Sequence, residues 1–349
     1  SAALRFRSSQ ALFLDALLAE QENVQVDRMF DGIRKKLRSF SGVKPCEPPR
    51  GFQGKLRKYQ REGLGWLHFL RQFGFGGCLA DDMGLGKTVQ VLALLLARRQ
   101  RRVKKGESKS PSIVVVPKSL VFNWIDEAQR FTPKLRVLNY TGTDRAERLD
   151  AVDDYDVLLT TYGTLRRDIA ELKDMAFDYA ILDESQAIKN SNSQAAKACR
   201  LLQADHRLAM TGTPVENHVG ELWSLFEFLN PGMLGRSSAF AAMAHRGQPN
   251  DLESLQLLSH ALRPFVLRRT KDKVLKELPA KTEQTLYCEM APKQRKQYDE
   301  LREYYRAQLS KNIAEEGLQK SKFHVLEALL RLRQAACHPG LLDAKHETD

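Results

Sequence analysis

From Gly51 to about Asn230, short apolar runs recur between longer stretches in which apolar positions return every three or four residues. The runs are Cys78–Ala80, Ile113–Val116, Val137–Asn139, Val157–Thr160, Tyr179–Leu182 and Leu208–Met210. Each is brief and dominated by aliphatic or β-branched side chains, as strands covered on both faces are. Strands alternating with helical patterns predict an α/β fold, a mostly parallel sheet sandwiched by helices. Residues 1–50 form an N-terminal flank with helical spacing (Leu14, Leu17, Leu18, then Met29, Ile33, Leu37), closed by a breaker cluster from Pro45 to Gly51. After Pro231 the strand signals stop. Residues 231–281 read as mainly helical, 282–290 as one strand returning to the sheet, and 291–349 as a charged helical segment. The core of the α/β pattern is thus 51–230.

Composition narrows the classes. With 55 Lys plus Arg against 43 Asp plus Glu, the 349-residue chain carries a formal charge of +12, a balance that suits a polyanionic partner such as nucleic acid. The longest apolar stretch, Val91–Ala97, is far short of the ~20 residues of a membrane helix. Five scattered cysteines without a C-x-x-C pair argue against a disulfide framework or a zinc site and fit a reducing cytosol. The first residue is Ser1 and the apolar run Ala11–Ala19 is broken by Asp15, which reads as a piece of a longer chain without a signal peptide. The basic run Arg98–Lys109 reads as a solvated loop.

Two segments carry chemistry. Asp81-Asp82-Met83-Gly84-Leu85-Gly86-Lys87-Thr88 follows a buried strand and opens a helical pattern, the context of a phosphate-binding loop. Glycines let backbone N–H groups face an anion, and the helix N-terminus adds a favourable dipole. Lys87 would reach the β- and γ-phosphates of a nucleotide, and the Thr88 hydroxyl would ligate Mg²⁺. Asp81 stands where the strict pattern has its first glycine. Roughly one hundred residues on, the strand Tyr179–Leu182 ends in Asp183-Glu184. At the carboxyl end of a parallel sheet these carboxylates would face the same crevice. Asp183 would hold the metal through water and Glu184 would take a proton from the attacking water.

With Asp183-Glu184-Ser185-Gln186 in view, the chain resembles the SWI/SNF-type DNA translocases of helicase superfamily two. Further motifs follow in order along residues 52–341. Leu56-Arg57-Lys58-Tyr59-Gln60 resembles the adenine-recognition motif. Val116–Leu120 with Asn123-Trp124, and Thr160-Thr161-Tyr162, resemble two DNA-contact motifs. Thr211-Gly212-Thr213-Pro214 resembles the motif coupling hydrolysis to movement, and Leu267-Arg268-Arg269-Thr270 and Cys337-His338-Pro339 resemble blocks particular to the family. The resemblance implies a RecA-like P-loop NTPase lobe with a helical protrusion, ATP as substrate with Mg²⁺, and double-stranded DNA as partner. It implies Gln60 on adenine and Asp81, Asp82, Met83, Gly84, Leu85, Gly86, Lys87 and Thr88 around the phosphates. Gln186, Thr211 and Thr213 would couple hydrolysis to movement. Lys118, Asn123, Thr161, Tyr162, Lys189 and Asn190 would follow the DNA backbone, where positive and hydroxyl groups serve without base readout.

Trp124 and Trp223 read as packing residues. The cluster Arg263, Arg268, Arg269, Lys271 and Lys273 would touch either DNA or a second RecA-like lobe, which the family places after this segment and which would bring the arginine fingers. The expected activity is ATP-dependent movement along duplex DNA with displacement of a bound protein, in a bacterial or archaeal cytoplasm rather than a nucleus. Two alternatives stay open: a strand-separating or RNA helicase, and, for this chain alone, a nucleotide- or DNA-binding module with little hydrolysis.

Overall fold

A computed structural model describes residues 31–32, 44–105, 110–212, 219–235, 262–274, 284–317 and 321–342. The expected helical flank before residue 44 lies almost entirely outside the described residues, as do 236–261 and 275–281 of the expected protrusion at 231–281. Two compact units divide the chain, Ser1–Leu278 and Pro279–Asp349.

The first unit is built on seven strands: β1 (Gly77–Leu79), β2 (Ser112–Val116), β3 (Val137–Asn139), β4 (Val157–Thr161), β5 (Ala176–Leu182), β6 (Gln203–Met210) and β7 (Val266–Leu267). Their order in the sheet is β3-β4-β2-β5-β6-β1-β7, and every pairing is parallel. The principal helices of this unit are α1 (Lys58–Phe73), α2 (Lys87–Lys105), α3 (Val121–Phe131), α4 (Tyr162–Arg167), α5 (Gln194–Leu201) and α6 (Val219–Leu229). Because alternate strand residues point to opposite faces, Val114 and Val116 enter one core while Ile113 and Val115 enter the other. The first core gathers Leu64, Trp66 and Leu70 of α1, Val91 to Leu95 of α2 and Trp124 of α3. The second gathers Leu165 of α4, Cys199 of α5 and Phe228 of α6.

The expected returning strand does not form. Residues 284–290 carry no secondary structure, leave Leu286 and Tyr287 exposed, and fall in the second unit. The strand that joins β1 is β7, anchored by Phe265, whose ring is fully buried with centroids 5.1 Å from Phe75 and 6.2 Å from Phe226. An apolar run reads as a strand in sequence, but composition alone does not supply a partner strand to pair with.

The basic run is a second correction. Arg98 to Lys105 continue α2 instead of forming a loop, whereas 106–109 lie outside the described residues. Arg98 donates from Nε and Nη2 to both oxygens of Asp178 on β5 at 3.0 and 2.7 Å, and Arg102 reaches the same carboxylate at 2.7 Å. Burial pushes the Asp178 carboxyl up, but the Arg98 hydrogen bond and the Arg102 and Arg98 charges outweigh it and hold it below the ordinary carboxylate range. A depressed folded-state pKa adds stability above the unfolded value and loses it as pH falls through the folded one. Asp178→Ala is therefore expected to cost about 3 kcal/mol at pH 7 by taking the shared buried carboxylate away from two half-buried guanidiniums. Urea titrations should show that cost shrinking as pH falls below the ordinary carboxylate range and through the lower folded-state pKa of Asp178.

The second unit is a helical hairpin of α7 (Pro292–Glu316) and α8 (Lys322–Cys337). Gln294 near the start of α7 donates to the carbonyls of Ala335 and Ala336 near the end of α8, at 2.9 and 3.1 Å, which makes the pair antiparallel. Among the described residues no helix is long and apolar enough to cross a membrane.

Candidate functional site

Strand register brings the two chemical segments together. Leu79 of β1 pairs with Met210 of β6, and Leu182 of β5 pairs with Ala209 of β6. The chain therefore leaves the carboxyl edge of the sheet side by side at Ala80, Thr211 and Asp183, and the Thr211 amide bonds the Leu79 carbonyl at 3.2 Å. In open α/β sheets this edge is where ligands bind.

After β1 the loop turns through Gly84 (φ 84°) and Gly86 (φ 73°) before α2 begins at Lys87. A Cβ on Gly86 would lie 2.6 Å from Gln60 Nε2, so glycine is required there both for its left-handed backbone and for the close approach. Among the described residues no acceptor takes the N–H groups of Met83, Gly84 or Gly86, whereas Leu85 N–H bonds the Asp82 carbonyl at 3.3 Å. Three unused donors beside a helix N-terminus fit an anionic ligand. Lys87 Nζ donates to the Asp81 carbonyl at 2.7 Å and the Asp82 carbonyl at 3.5 Å, folding back over the loop. Tyr59 Oη and Gln60 Nε2 each donate to the Leu85 carbonyl at 3.2 Å, and Gln60 Oε1 accepts from Arg57 N at 2.9 Å. The Gln60 amide thus ties the start of α1 to the loop.

Asp183 is buried at the end of β5. Its Oδ2 accepts from Trp124 Nε1 at 2.8 Å and its Oδ1 from Glu184 N at 2.9 Å. Burial pushes this carboxyl above the ordinary carboxylate range against those two donors and the Lys87 charge. A buried carboxylate that its protein partners leave under-compensated suits a divalent cation, and the Thr88 hydroxyl is a fitting second ligand. Glu184 has φ 47° and ψ 57°, and it is the non-glycine residue with positive φ among the described residues. Holding a glutamate in the left-handed region costs about 1–2 kcal/mol, a strain that collects at functional sites. A relay runs from it: Gln186 Nε2 donates to Glu184 Oε2 at 2.9 Å, and Thr211 Oγ1 donates to Gln186 Oε1 at 3.1 Å. Thr213 lies outside the described residues.

The residues expected on DNA sit on the other half of the same edge. Lys118 follows β2, Asn123 lies on α3, Thr161 ends β4, and Lys189-Asn190 follow the turn after β5. Since β4, β2 and β5 are neighbours, β5 divides a nucleotide half from a candidate DNA half. Lys118, Asn123, Lys189 and Asn190 are exposed, as is the Phe122 ring. Thr161 is occupied in capping α4, its Oγ1 accepting from Thr164 N at 3.1 Å. Tyr162, expected on DNA, is half-buried with its hydroxyl donating to the Asp183 carbonyl at 2.7 Å, which braces the end of β5.

Sequence patterns missed two participants. Trp124, read as packing, also orients Asp183. Arg269, left open between DNA and a second lobe, meets the phosphate loop through Asp81. A buried carboxylate at a glycine position signals that a cation must meet it, but spacing cannot say which one.

Comparison with known proteins follows this geometry. The family model described as SNF2-related domain matches residues 59–341. The chain is 36% identical over 324 residues to the TATA-binding protein-associated factor MOT1 of Saccharomyces cerevisiae, covering 86% of this chain and 17% of that protein. It is 36% identical over 331 residues to the putative ATP-dependent helicase/translocase YwqA of Bacillus subtilis, covering 93% of this chain and 35% of that protein. It also superposes on the Sulfolobus solfataricus SWI2/SNF2 ATPase core in complex with dsDNA, with TM-score 0.60 and 38% identity over 88% of this chain and 63% of that one. The chain therefore spans a minor part of these curated relatives.

Proposed function

The chain belongs to the SNF2-related domain family, and on that footing we propose that it is the ATP-binding lobe of an ATP-dependent translocase on double-stranded DNA that displaces bound proteins. The observation that carries the proposal is the alignment on one sheet edge of three unused loop N–H groups, Lys87, and the Asp183–Glu184 pair. ATP would place its phosphates in the loop, with Lys87 exchanging its two carbonyl partners for phosphate oxygens. Thr88 and Asp183 would hold Mg²⁺, which when bound neutralises developing charge on the phosphates. Glu184 would orient the attacking water and accept its proton. Loss of the γ-phosphate alters what Glu184 faces, and Gln186 would carry that change to Thr211 just after β6.

Double-stranded DNA as substrate is supported by the +12 charge, by the basic and amide side chains on the β4-β2-β5 edge, and by the DNA-bound relative. A DNA-bound protein as target is carried over only as a class, from a relative named for association with the TATA-binding protein. The alternative of a binding module with little hydrolysis of its own draws on one observation: Arg269 meets the loop but is engaged by Asp81, leaving the transition-state arginine to come from elsewhere.

Phosphate release measured with no nucleic acid, duplex DNA, single-stranded DNA and RNA decides among these. Stimulation by duplex alone is expected; stimulation by RNA or single strands would favour a helicase, and none would leave the binding module. Thr211→Val, which removes the relay hydroxyl, is expected to keep ATP affinity within about threefold. It should weaken DNA stimulation of turnover by roughly 2–30-fold, the range for residues that transmit coupling without touching either ligand. Paired ATP-binding and stimulation assays check this, and unchanged stimulation would remove Thr211 from the relay.

A further inference from the structure

Asp81 is fully buried, yet it occupies the position where a phosphate loop commonly has a glycine. Gln90 Nε2 donates to its Oδ2 at 3.4 Å, and the other bonds to the carboxylate come from one segment far along the chain. Arg269, after β7, donates from Nε to Asp81 Oδ1 at 2.9 Å and from Nη2 to Oδ2, and its backbone N–H adds a third bond to Oδ1 at 3.1 Å. The same guanidinium bonds Gln90 Oε1 at 3.0 Å and the Tyr59 carbonyl, and lies 5.3 Å from the centre of the Tyr59 ring. Main-chain bonds continue along both sides of this fork. Ala80 N–H bonds the Leu267 carbonyl at 2.7 Å, Asp82 N–H bonds the Arg269 carbonyl at 3.0 Å, and Lys271 N–H bonds Asp82 Oδ2 at 3.0 Å. Gly63 on α1 makes the room: a Cβ there would sit 1.9 Å from Gln90 Oε1 and 2.9 Å from Arg269 Nη2.

We propose that Arg269 is a positioning residue of the nucleotide site, setting the shape of the phosphate loop through its fork on Asp81 so that the segment entering the sheet at β7 governs how the loop receives ATP. This rests on the nucleotide reading of the loop. A bidentate arginine fixes a carboxylate in two directions, which a point charge does not do. Asp81 and Asp82 lead directly into the unused N–H groups at Met83 and Gly84, so a shift of that fork displaces the donors. β7 is only two residues long, and Arg269 lies two positions beyond it, so the strand that closes the sheet beside β1 and the fork on Asp81 are set by one short segment.

The test compares ATP affinity with the melting temperature of the ligand-free protein in three variants. Arg269→Lys keeps the charge and loses the fork. The double variant Arg269→Met with Asp81→Leu replaces both charges by apolar side chains of similar volume, an exchange that commonly leaves stability near neutral where a single removal does not. Lys87→Ala serves as the reference for a lost nucleotide site. Arg269→Lys and the double variant are both expected to weaken ATP binding roughly tenfold, within the range for residues sharing one network, while the double variant melts within a few degrees of wild type. Wild-type ATP affinity in the double variant, alongside loss in Lys87→Ala, would overturn the positioning role and leave an ordinary buried ion pair. Wild-type affinity in Lys87→Ala would overturn the nucleotide reading, and the inference with it.

Discussion

Glutamine in place of Glu184 is expected to bind ATP and release almost no phosphate. The exchange swaps a carboxylate oxygen for an amide while keeping length and shape. Gln186 Nε2, which now donates to Glu184 Oε2 at 2.9 Å, can still find a carbonyl acceptor there. The left-handed backbone at this position taxes glutamate and glutamine alike, so stability should move by less than about 0.5 kcal/mol. What disappears is the ability to accept a proton from water, worth about 10²–10⁴ in turnover for a positioned general base. ATP affinity should stay within about threefold, because the phosphate contacts come from the loop and Lys87. Steady-state phosphate release in the presence of duplex DNA, set beside direct ATP binding, separates the two effects. Turnover within tenfold of wild type would remove Glu184 from the role of base and leave it as a bracing residue for Gln186.

How far this site was legible in sequence depends on how local each interaction is. The phosphate loop is contiguous, so the glycines, lysine and threonine declared it directly. The carboxylate pair was legible because β5 is an unbroken apolar run that stops where Asp183 begins. The sheet's polar margins were less visible. The first half of β6, Gln203 to Arg207, alternates exposed and half-buried polar residues, so only Leu208–Met210 looked like a strand. At Gln284–Met290 the opposite error arose, since apolar composition alone does not supply a partner strand. Arg98 and Arg102 looked solvated because the carboxylate that buries them, Asp178, lies some eighty positions away. Arg269 and Asp81 are separated by 188 residues, beyond any periodic signal. Each missed feature is a long-range polar pairing or a question of whether a partner strand is at hand, and neither is written in local periodicity.

Alanine in place of Lys87 should show whether the loop is a nucleotide site or a turn held by its own lysine. In the ligand-free loop Lys87 Nζ spans the carbonyls of Asp81 and Asp82, so the side chain has a structural job as well as a chemical one. Lys87 is only half-buried, and losing hydrogen bonding of this kind costs about 1 kcal/mol. Arg269 and Lys271 continue to hold Asp81 and Asp82 through bonds that do not involve Lys87. Stability is therefore expected to change little. The effect on ATP should be far larger, because a charge-assisted contact to phosphate in a site of low water content is lost together with its Coulomb attraction. We expect ATP affinity to fall by roughly 10²-fold or more, equivalent to about 3 kcal/mol, and turnover to vanish with it. Calorimetric titration of ATP and thermal melting of the same samples give both numbers. A variant that melts like wild type and no longer binds ATP assigns the ammonium to phosphate. One that unfolds early but binds ATP normally when folded assigns it to the loop's own carbonyls and overturns the nucleotide reading of the loop.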